Sequence, residues 1–192
     1  MTDDQLLDQL TGVFRSVGFD GASLTHLAAV TGLQKSSLYH RFPGGKEQMA
    51  TEVIERLGTS GVSSALAPLD TDEPIRQRVQ KVGRRLTAFY EAGAKSCLLD
   101  TMSVGDTGGA TATALATAAN GWIAAFERVA ASTGAKPAVA KARAQDAIGA
   151  IEGALVLARV TDDRRPFARA IERLPDMLLG TDPTAVTTGK EK

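Results

Sequence analysis

The stretch SLTHLAAVTGLQKSSLYHRFPGGK, residues 23–46, decides the fold of this chain. Its first part places apolar residues at i, i+3 and i+4, which predicts a short helix whose N-cap is Ser23. Gly32 follows, at a point where the chain must bend through a backbone conformation that most residues resist. A second short helix is predicted directly after the turn, with Leu38 and Phe42 on its inner face. The stretch therefore predicts a helix-turn-helix.

The outer face of the predicted second helix is polar and cationic. Its members are Gln34, Lys35, Ser36, Ser37, Tyr39, His40 and Arg41. No Asp or Glu occurs between Asp20 and Glu47, whereas three Lys or Arg residues do. An acid would repel DNA phosphates, while basic side chains release counterions when they bind them. This face is therefore predicted to lie in a DNA major groove, although the same spacing also fits the solvated side of an ordinary three-helix core.

The segment SSLYHRFPGGKEQM, residues 36–49, closely resembles the end of the recognition helix in TetR-family transcriptional regulators. Their usual pattern is Leu-Tyr-x-x-Phe, followed by Lys-Glu at the start of the next helix. The matching residues here are Leu38, Tyr39, His40, Phe42, Lys46 and Glu47. The resemblance covers about the first 55 residues. The Phe-Pro-Gly-Gly-Lys link is one residue longer than the commonest form and resembles a subgroup often found as repressors of drug-efflux or oxidoreductase genes.

Helical periodicity along the rest of the chain predicts an all-α fold of about nine helices. The last six are expected over about 46–60, 74–92, 98–104, 110–133, 138–161 and 166–179. The composition shifts to small and polar residues over 58–74, which indicates a domain boundary. We expect an N-terminal three-helix helix-turn-helix domain over 1–57, with helix four bridging, and a larger C-terminal helical bundle for ligand binding and dimerisation over 58–180. Residues 181–192 are expected to form a flexible tail.

Composition limits the possible functions. The chain has 22 basic and 22 acidic residues, so any DNA binding must come from a local patch and not from overall charge. Cys97 is the single cysteine, which excludes an internal disulfide and favours the cytoplasm. No apolar run is long enough to span a membrane, so no membrane association is expected. The sequence shows neither metal-ligand spacing nor a nucleotide fingerprint, and no metal or cofactor is expected.

The DNA contacts are predicted by side-chain chemistry. Gln34, Lys35 and Ser36 are expected at base edges, since Gln suits adenine and Lys suits guanine. Phosphate contacts are expected from Ser23, Thr25, Ser37, Tyr39, His40 and Lys46. The resemblance implies that the partner is a double-stranded DNA operator.

The C-terminal domain is expected to bind a small hydrophobic effector and a second copy of the chain. Candidate pocket residues are Phe89, Tyr90, Cys97, Met102, Trp122, Phe126 and Glu152, although aromatic and Met residues at helical spacing also fit a plain core. Glu152 is a single acid in the apolar band of helix eight. It is interpreted either as orienting a cationic or hydroxylated ligand or as lying at a dimer rim. Helices eight and nine carry more apolar residues than one bundle needs, which predicts a homodimer through them.

These features favour a ligand-responsive DNA-binding transcriptional regulator, in the first place a repressor that a small molecule releases from its operator. An all-helical enzyme is the second interpretation, but Cys97 has no His near it in sequence and no nucleophile–base pair is visible, so no catalytic residue is predicted. The third interpretation is a helical adaptor that has lost DNA binding, which the absence of acids in the second motif helix disfavours. The sequence does not separate repression from activation.

Overall fold

The computed structural model describes residues 1–180, except for the side chains of residues 60–62, and all regular structure in this part is helical. Its α-helices are α1 (Asp3–Gly21), α2 (Leu24–Thr31), α3 (Lys35–Arg41), α4 (Gly45–Arg56), α5 (Ser63–Leu66), α6 (Ile75–Phe89), α7 (Leu98–Met102), α8 (Gly109–Ala131), α9 (Pro137–Thr161) and α10 (Arg165–Leu179). The all-α prediction is confirmed. All nine predicted helices are present, and the four-residue α5 is additional. The predicted tail over 181–192 lies outside the described residues.

Helices α1–α4 form the N-terminal head around a buried core. The largest fully buried side chains that these four helices contribute to it are Leu10, Phe14, Leu27, Leu38, Phe42 and Met49. Val17 of α1 is 42% exposed. Gly18 interrupts α1 with φ +68° and returns the chain so that Phe19 fills this end of the core instead. The rings of Phe14 and Phe19 stack there with their centroids 6.4 Å apart.

The helix-turn-helix has the predicted local chemistry. The Ser23 hydroxyl accepts a hydrogen bond from the backbone N–H of His26 at 3.1 Å and so caps α2. Gly32 ends α2 in the left-handed conformation, with φ +66° and ψ 12°. Leu38 and Phe42 are buried in the head core, which fixes the side of α3 that faces solvent. The predicted N-cap, turn glycine and inner face are confirmed.

The C-terminal bundle has a second core, made mainly by α6, α8, α9 and α10. The two cores do not divide at residue 57. Leu98 and Met102 of α7 are buried in the head core, and Leu115 of α8 packs against it. Helix α7 lies so close to α1 that a Cβ at Gly18 would be 2.6 Å from the Thr101 carbonyl oxygen. Elements of the bundle thus form part of the head.

Helix α4 ends earlier than expected. Helix four was predicted to about residue 60, whereas the α-helical path stops at Arg56 and a π-helical segment, Leu57–Val62, follows. The wider π-helical turn sits where α4 leaves the head and meets the bundle. No helix within residues 1–180 is both long and apolar enough to cross a membrane.

Candidate functional site

The helix-turn-helix presents almost all of the predicted DNA contacts to solvent. Eight of the nine candidates are exposed: Ser23, Thr25, Gln34, Lys35, Ser36, Ser37, Tyr39 and His40. The Tyr39 side chain lies beside the start of α4, where a Cβ at Gly45 would be 3.4 Å from its Cε1 atom. Because Leu38 anchors α3 from below, the remaining residues of this seven-residue helix form one polar outer surface.

Lys46 differs from the other eight candidates. It is half-buried, and its Nζ donates a hydrogen bond to the Phe19 carbonyl oxygen at 3.0 Å. The same Nζ lies 4.0 Å from the centroid of the Phe19 ring, within the range of a cation–π contact. The ammonium group therefore ties the start of α4 to the end of α1 and is not open to a phosphate in this state.

An acidic residue of α1 lies at the edge of the exposed polar surface of α3. Asp3, in the first turn of α1, forms an ion pair with Arg41 at the C-terminal end of α3. The hydrogen bond to Asp3 raises the pKa of Arg41 above its usual value. The sequence window between Asp20 and Glu47 is free of acids, but the folded surface has Asp3 at one edge. The pair holds the end of α3 against α1 and leaves Lys35 as the cation at its beginning.

A cavity of about 40 Å³ lies where the head meets the bundle. Its lining side chains come from α1, α4, α6, α7, α8 and the segments that follow α4 and α6. They are Arg15, Ile54, Leu57, Gly58, Phe89, Tyr90, Cys97, Leu98, Leu99, Leu115, Ala118 and Trp122. Four predicted pocket residues, Phe89, Tyr90, Cys97 and Trp122, are therefore brought together on its wall.

Three predicted pocket residues do not line the cavity. Met102 is fully buried in the head core. Phe126 is fully buried one turn beyond Trp122, with the two rings edge to face and their centroids 5.9 Å apart. Glu152 lies behind Cys97, and its Oε2 atom is buried without a hydrogen-bond partner among the described residues. The spacing of residues in the sequence could not distinguish residues that line the cavity from residues of the packed core, because both lie on the same face of a helix.

The wall between α6 and α7 carries neutral hydrogen-bonding groups. The Tyr90 hydroxyl donates to Cys97 Sγ at 3.3 Å. Burial raises the pKa of Tyr90 well above its usual value and raises the pKa of Cys97 to about 12. Burial also raises the pKa of Glu152 behind them. The cavity thus combines apolar walls with a polar but uncharged patch.

Sequence reasoning missed the cavity residues that come from the head. Arg15 of α1 lies with its Cζ 5.2 Å from the centroid of the Phe89 ring. Ile54 of α4 and Leu57 and Gly58 of the π-helical segment complete that side. An arginine next to the buried Phe14 gives no signal of this role in the sequence, because it fits the solvent-facing side of an amphipathic helix equally well.

Two protein-family models match the chain. The model described as "Transcriptional regulator LmrA/YxaF-like, C-terminal domain" matches residues 73–173. The model described as "Bacterial regulatory proteins, tetR family" matches residues 6–53. A curated relative, the HTH-type transcriptional regulator LmrA of Bacillus subtilis (strain 168), is 37% identical over 54 residues. That alignment covers 28% of this chain and 29% of the length of the relative.

Solved structures share the architecture. A TetR transcriptional regulator from Legionella pneumophila superposes with a TM-score of 0.78 at 18% identity, over 91% of this chain and 95% of that one. The reduced form of NemR from E. coli superposes with a TM-score of 0.74 at 20% identity, over 89% and 93% of the two chains. These similarities show the same fold. Since one family model alone matches more than half of its residues, the chain belongs to the TetR family of transcriptional regulators, with an LmrA/YxaF-like C-terminal domain.

Proposed function

We propose that this protein is a repressor that binds a double-stranded DNA operator through α3 and leaves it when a small, mainly apolar effector enters the cavity. The observation that carries the proposal is that the cavity wall contains parts of the head. TetR-family regulators bind DNA operators, and as a rule they are not enzymes. No observation favours the enzyme or the adaptor. A regulator of chromosomal genes acts in the cytoplasm, which is the compartment we propose.

The exposed surface of α3 supports the predicted division of DNA contacts. Gln34, Lys35 and Ser36 open the helix and are assigned to base edges in the major groove. The hydroxyl of Ser23 accepts the capping hydrogen bond, and its own proton is left to donate to a phosphate. The other phosphate contacts are assigned to Thr25, Ser37, Tyr39 and His40, and to Lys46 only if it releases Phe19 on binding.

The cavity offers a physical route from effector to DNA. Drug-sized ligands occupy pockets of roughly 300–1,000 Å³. A cavity of about 40 Å³ must therefore widen to accept one, and its walls include Arg15 of α1 and Ile54 of α4. An effector then binds more tightly to a state in which these head helices have moved. Such a difference in affinity between two states is what allows a ligand to lower DNA affinity.

We further propose a homodimer through α9 and α10. Leu157 and Val160 of α9 are 51% and 74% exposed, and a groove lined by small and apolar residues together with Arg169 and Arg173 runs between the two helices. A two-fold pairing would cover these groups and place two α3 helices on half-sites about one DNA turn apart. The Glu152 carboxyl lies next to Cys97, which favours the ligand side over the dimer rim for this residue. We retain 1–57 and 58–180 as the DNA-binding and the ligand-binding and dimerisation segments.

The test is a titration of the protein with a labelled DNA fragment from upstream of its own gene, at low and moderate salt. Tyr39→Ala and Lys35→Gln are expected to weaken binding about tenfold, and Lys35→Gln is also expected to reduce the salt dependence. Lys141→Gln, which removes the same charge from the exposed start of α9, serves as the matched control and should bind like wild type. Wild-type binding that is equal on any DNA, or that neither head variant weakens, would refute the proposal.

A further inference from the structure

We propose that Arg15 makes the cavity selective for effectors that join an apolar, preferably aromatic, body to an acidic group such as a carboxylate, a sulfonate or an acidic phenol. The proposal rests on the function proposed for the cavity and names the chemical class of its ligand. In this proposal Arg15, a residue of α1 in the DNA-binding head, contacts the ligand directly.

One N–H group of the Arg15 guanidinium is buried without an acceptor among the described residues. Its Nε is fully buried and has no hydrogen-bond partner, and Arg15 forms no ion pair among the described residues. Its Cζ atom lies 5.2 Å from the centroid of the Phe89 ring, a cation–π contact. A buried N–H group without an acceptor costs free energy that an incoming oxygen recovers. A carboxylate or sulfonate is the acceptor that matches the planar fork of a guanidinium best.

The nearby acids form no ion pair with Arg15 among the described residues. Asp8 lines the same surface groove as Arg15, but its Oδ1 accepts from Arg56 at 2.7 Å. The carboxyl of Glu152 lies beyond Tyr90 and Cys97, and burial raises its pKa. Tyr90 and Cys97 are neutral for the same reason. Arg15 therefore has no carboxylate paired with it among the described residues, which favours an anion over a neutral or cationic ligand.

The position of Arg15 places the acidic group at one defined end of the ligand. Arg15, Phe89 and Leu57 line both the cavity and an outer groove, so they form the wall between them. The remainder of the cavity is mostly apolar and includes the ring of Trp122. A ligand whose acidic group binds Arg15 and whose rings lie toward Trp122 matches both the charged end and the apolar end of the cavity. When the guanidinium of Arg15 pairs with the acidic group of the ligand, its contact with the Phe89 ring changes. Because Arg15 belongs to α1, this change acts directly on that helix.

Two fluorescent probes with one ring framework test this selectivity. The first is 8-anilinonaphthalene-1-sulfonate, and the second is N-phenyl-1-naphthylamine, which lacks the sulfonate. Trp122 is the single tryptophan of the chain and lies on the cavity wall, so quenching of its emission by energy transfer reports a probe close to the cavity. The measured quantity is the ratio of the two dissociation constants, which cancels general effects of a substitution on the cavity.

In Arg15→Gln the ratio is expected to shift about tenfold against the sulfonate, since one charge-assisted pair is lost. Arg15→Lys keeps the charge without the planar fork and should shift it less. Arg84→Gln removes an exposed arginine of α6 and should leave the ratio unchanged. An unchanged ratio in Arg15→Gln, an equal loss of both probes, or no quenching of wild type by either probe would overturn the proposal.

A titration with operator DNA in the absence of probe is run in parallel on wild type and Arg15→Gln. If wild type fails to bind DNA selectively, the proposed function fails, whatever the probes show. If DNA binding is intact and the ratio does not move, the repressor function stands and the role of Arg15 is refuted.

Discussion

At the scale of the residue, Glu152 is a half-buried acid with one carboxyl oxygen, Oε2, shielded from water. Burial raises its pKa, and one of its oxygens has no hydrogen-bond partner among the described residues. A carboxyl whose pKa is raised in the folded state contributes stability below its unfolded pKa, and that contribution is lost as the pH rises through the folded value. At neutral pH the folded protein therefore bears a cost for this acid.

We expect Glu152→Gln to have a higher Tm than wild type at pH 8, because the amide carries no charge to bury. The difference should shrink as the pH falls and be smallest below about pH 4, the ordinary range of a glutamate pKa, where the wild-type carboxyl becomes protonated in both states. Thermal melts followed by circular dichroism across this pH range measure it. Glu55→Gln alters an exposed acid of α4 and should show no such trend. A gap between Glu152→Gln and wild type that does not change with pH would contradict the interpretation.

The residues that sequence analysis predicted correctly are those whose role depends on close neighbours in the chain. The Ser23 cap reaches only to His26, and the bend at Gly32 depends on one backbone angle. Contacts between residues that are far apart in the sequence could not be predicted. Lys46 binds the carbonyl of Phe19, 27 residues away, and Arg41 pairs with Asp3. Nothing local distinguishes these cations from solvated ones.

At the scale of the element, two glycines with open space around them should respond oppositely to alanine. Gly32 has φ +66°, and Gly121 lies inside α8 with ordinary helical geometry; neither has an atom within 4 Å of its added Cβ. Gly32→Ala should lose about 1–2 kcal/mol of unfolding free energy through backbone strain. Gly121→Ala should gain about 0.5–1 kcal/mol, because alanine favours the helix.

Urea denaturation at one fixed protein concentration measures both changes, since the stability of an oligomer depends on concentration. Equal effects of the two substitutions, in either direction, would show that local backbone conformation does not decide the turn. DNA binding should also weaken in Gly32→Ala, because α3 is positioned by this bend, and should be unchanged in Gly121→Ala.

The helices were easier to predict than their ends. Apolar periodicity located all nine predicted helices, since each buries one face in a core. It did not show that α1 turns at Gly18, or that α4 passes into a π-helical segment at Leu57. Both changes occur where the element meets another part of the fold, and the pattern of a single helix carries no information about that partner.

At the scale of the whole molecule, the proposed dimer can be separated from general surface hydrophobicity. Leu157→Glu places a charge on the proposed α9–α10 interface and should give a monomer of 20.1 kDa, whereas wild type should have twice that mass. Val104→Glu changes a residue that is 73% exposed outside that face and should remain dimeric. Light scattering at micromolar concentration distinguishes the two masses. A wild-type monomer, or a Leu157→Glu dimer, would refute the proposed interface.

The domain boundary expected at residue 57 stays a prediction. Among the described residues, α7 and the start of α8 pack in the head core. The hydroxyl groups of Thr51 and Thr111 lie 3.1 Å apart, and the Thr101 hydroxyl donates to the Phe14 carbonyl at 3.3 Å. Such contacts join residues 60 and 87 positions apart, which no local pattern reports.

The shared wall of the cavity has a consequence for recombination and for the engineering of biosensors. A chimera that joins this head to the bundle of another regulator at residue 57 carries Arg15, Ile54 and Leu57 with it. Those side chains would then face a cavity that evolved with other neighbours. Both parent proteins then determine the ligand specificity of the hybrid. A crossover point chosen only to preserve the operator specificity also changes which ligands the sensor binds.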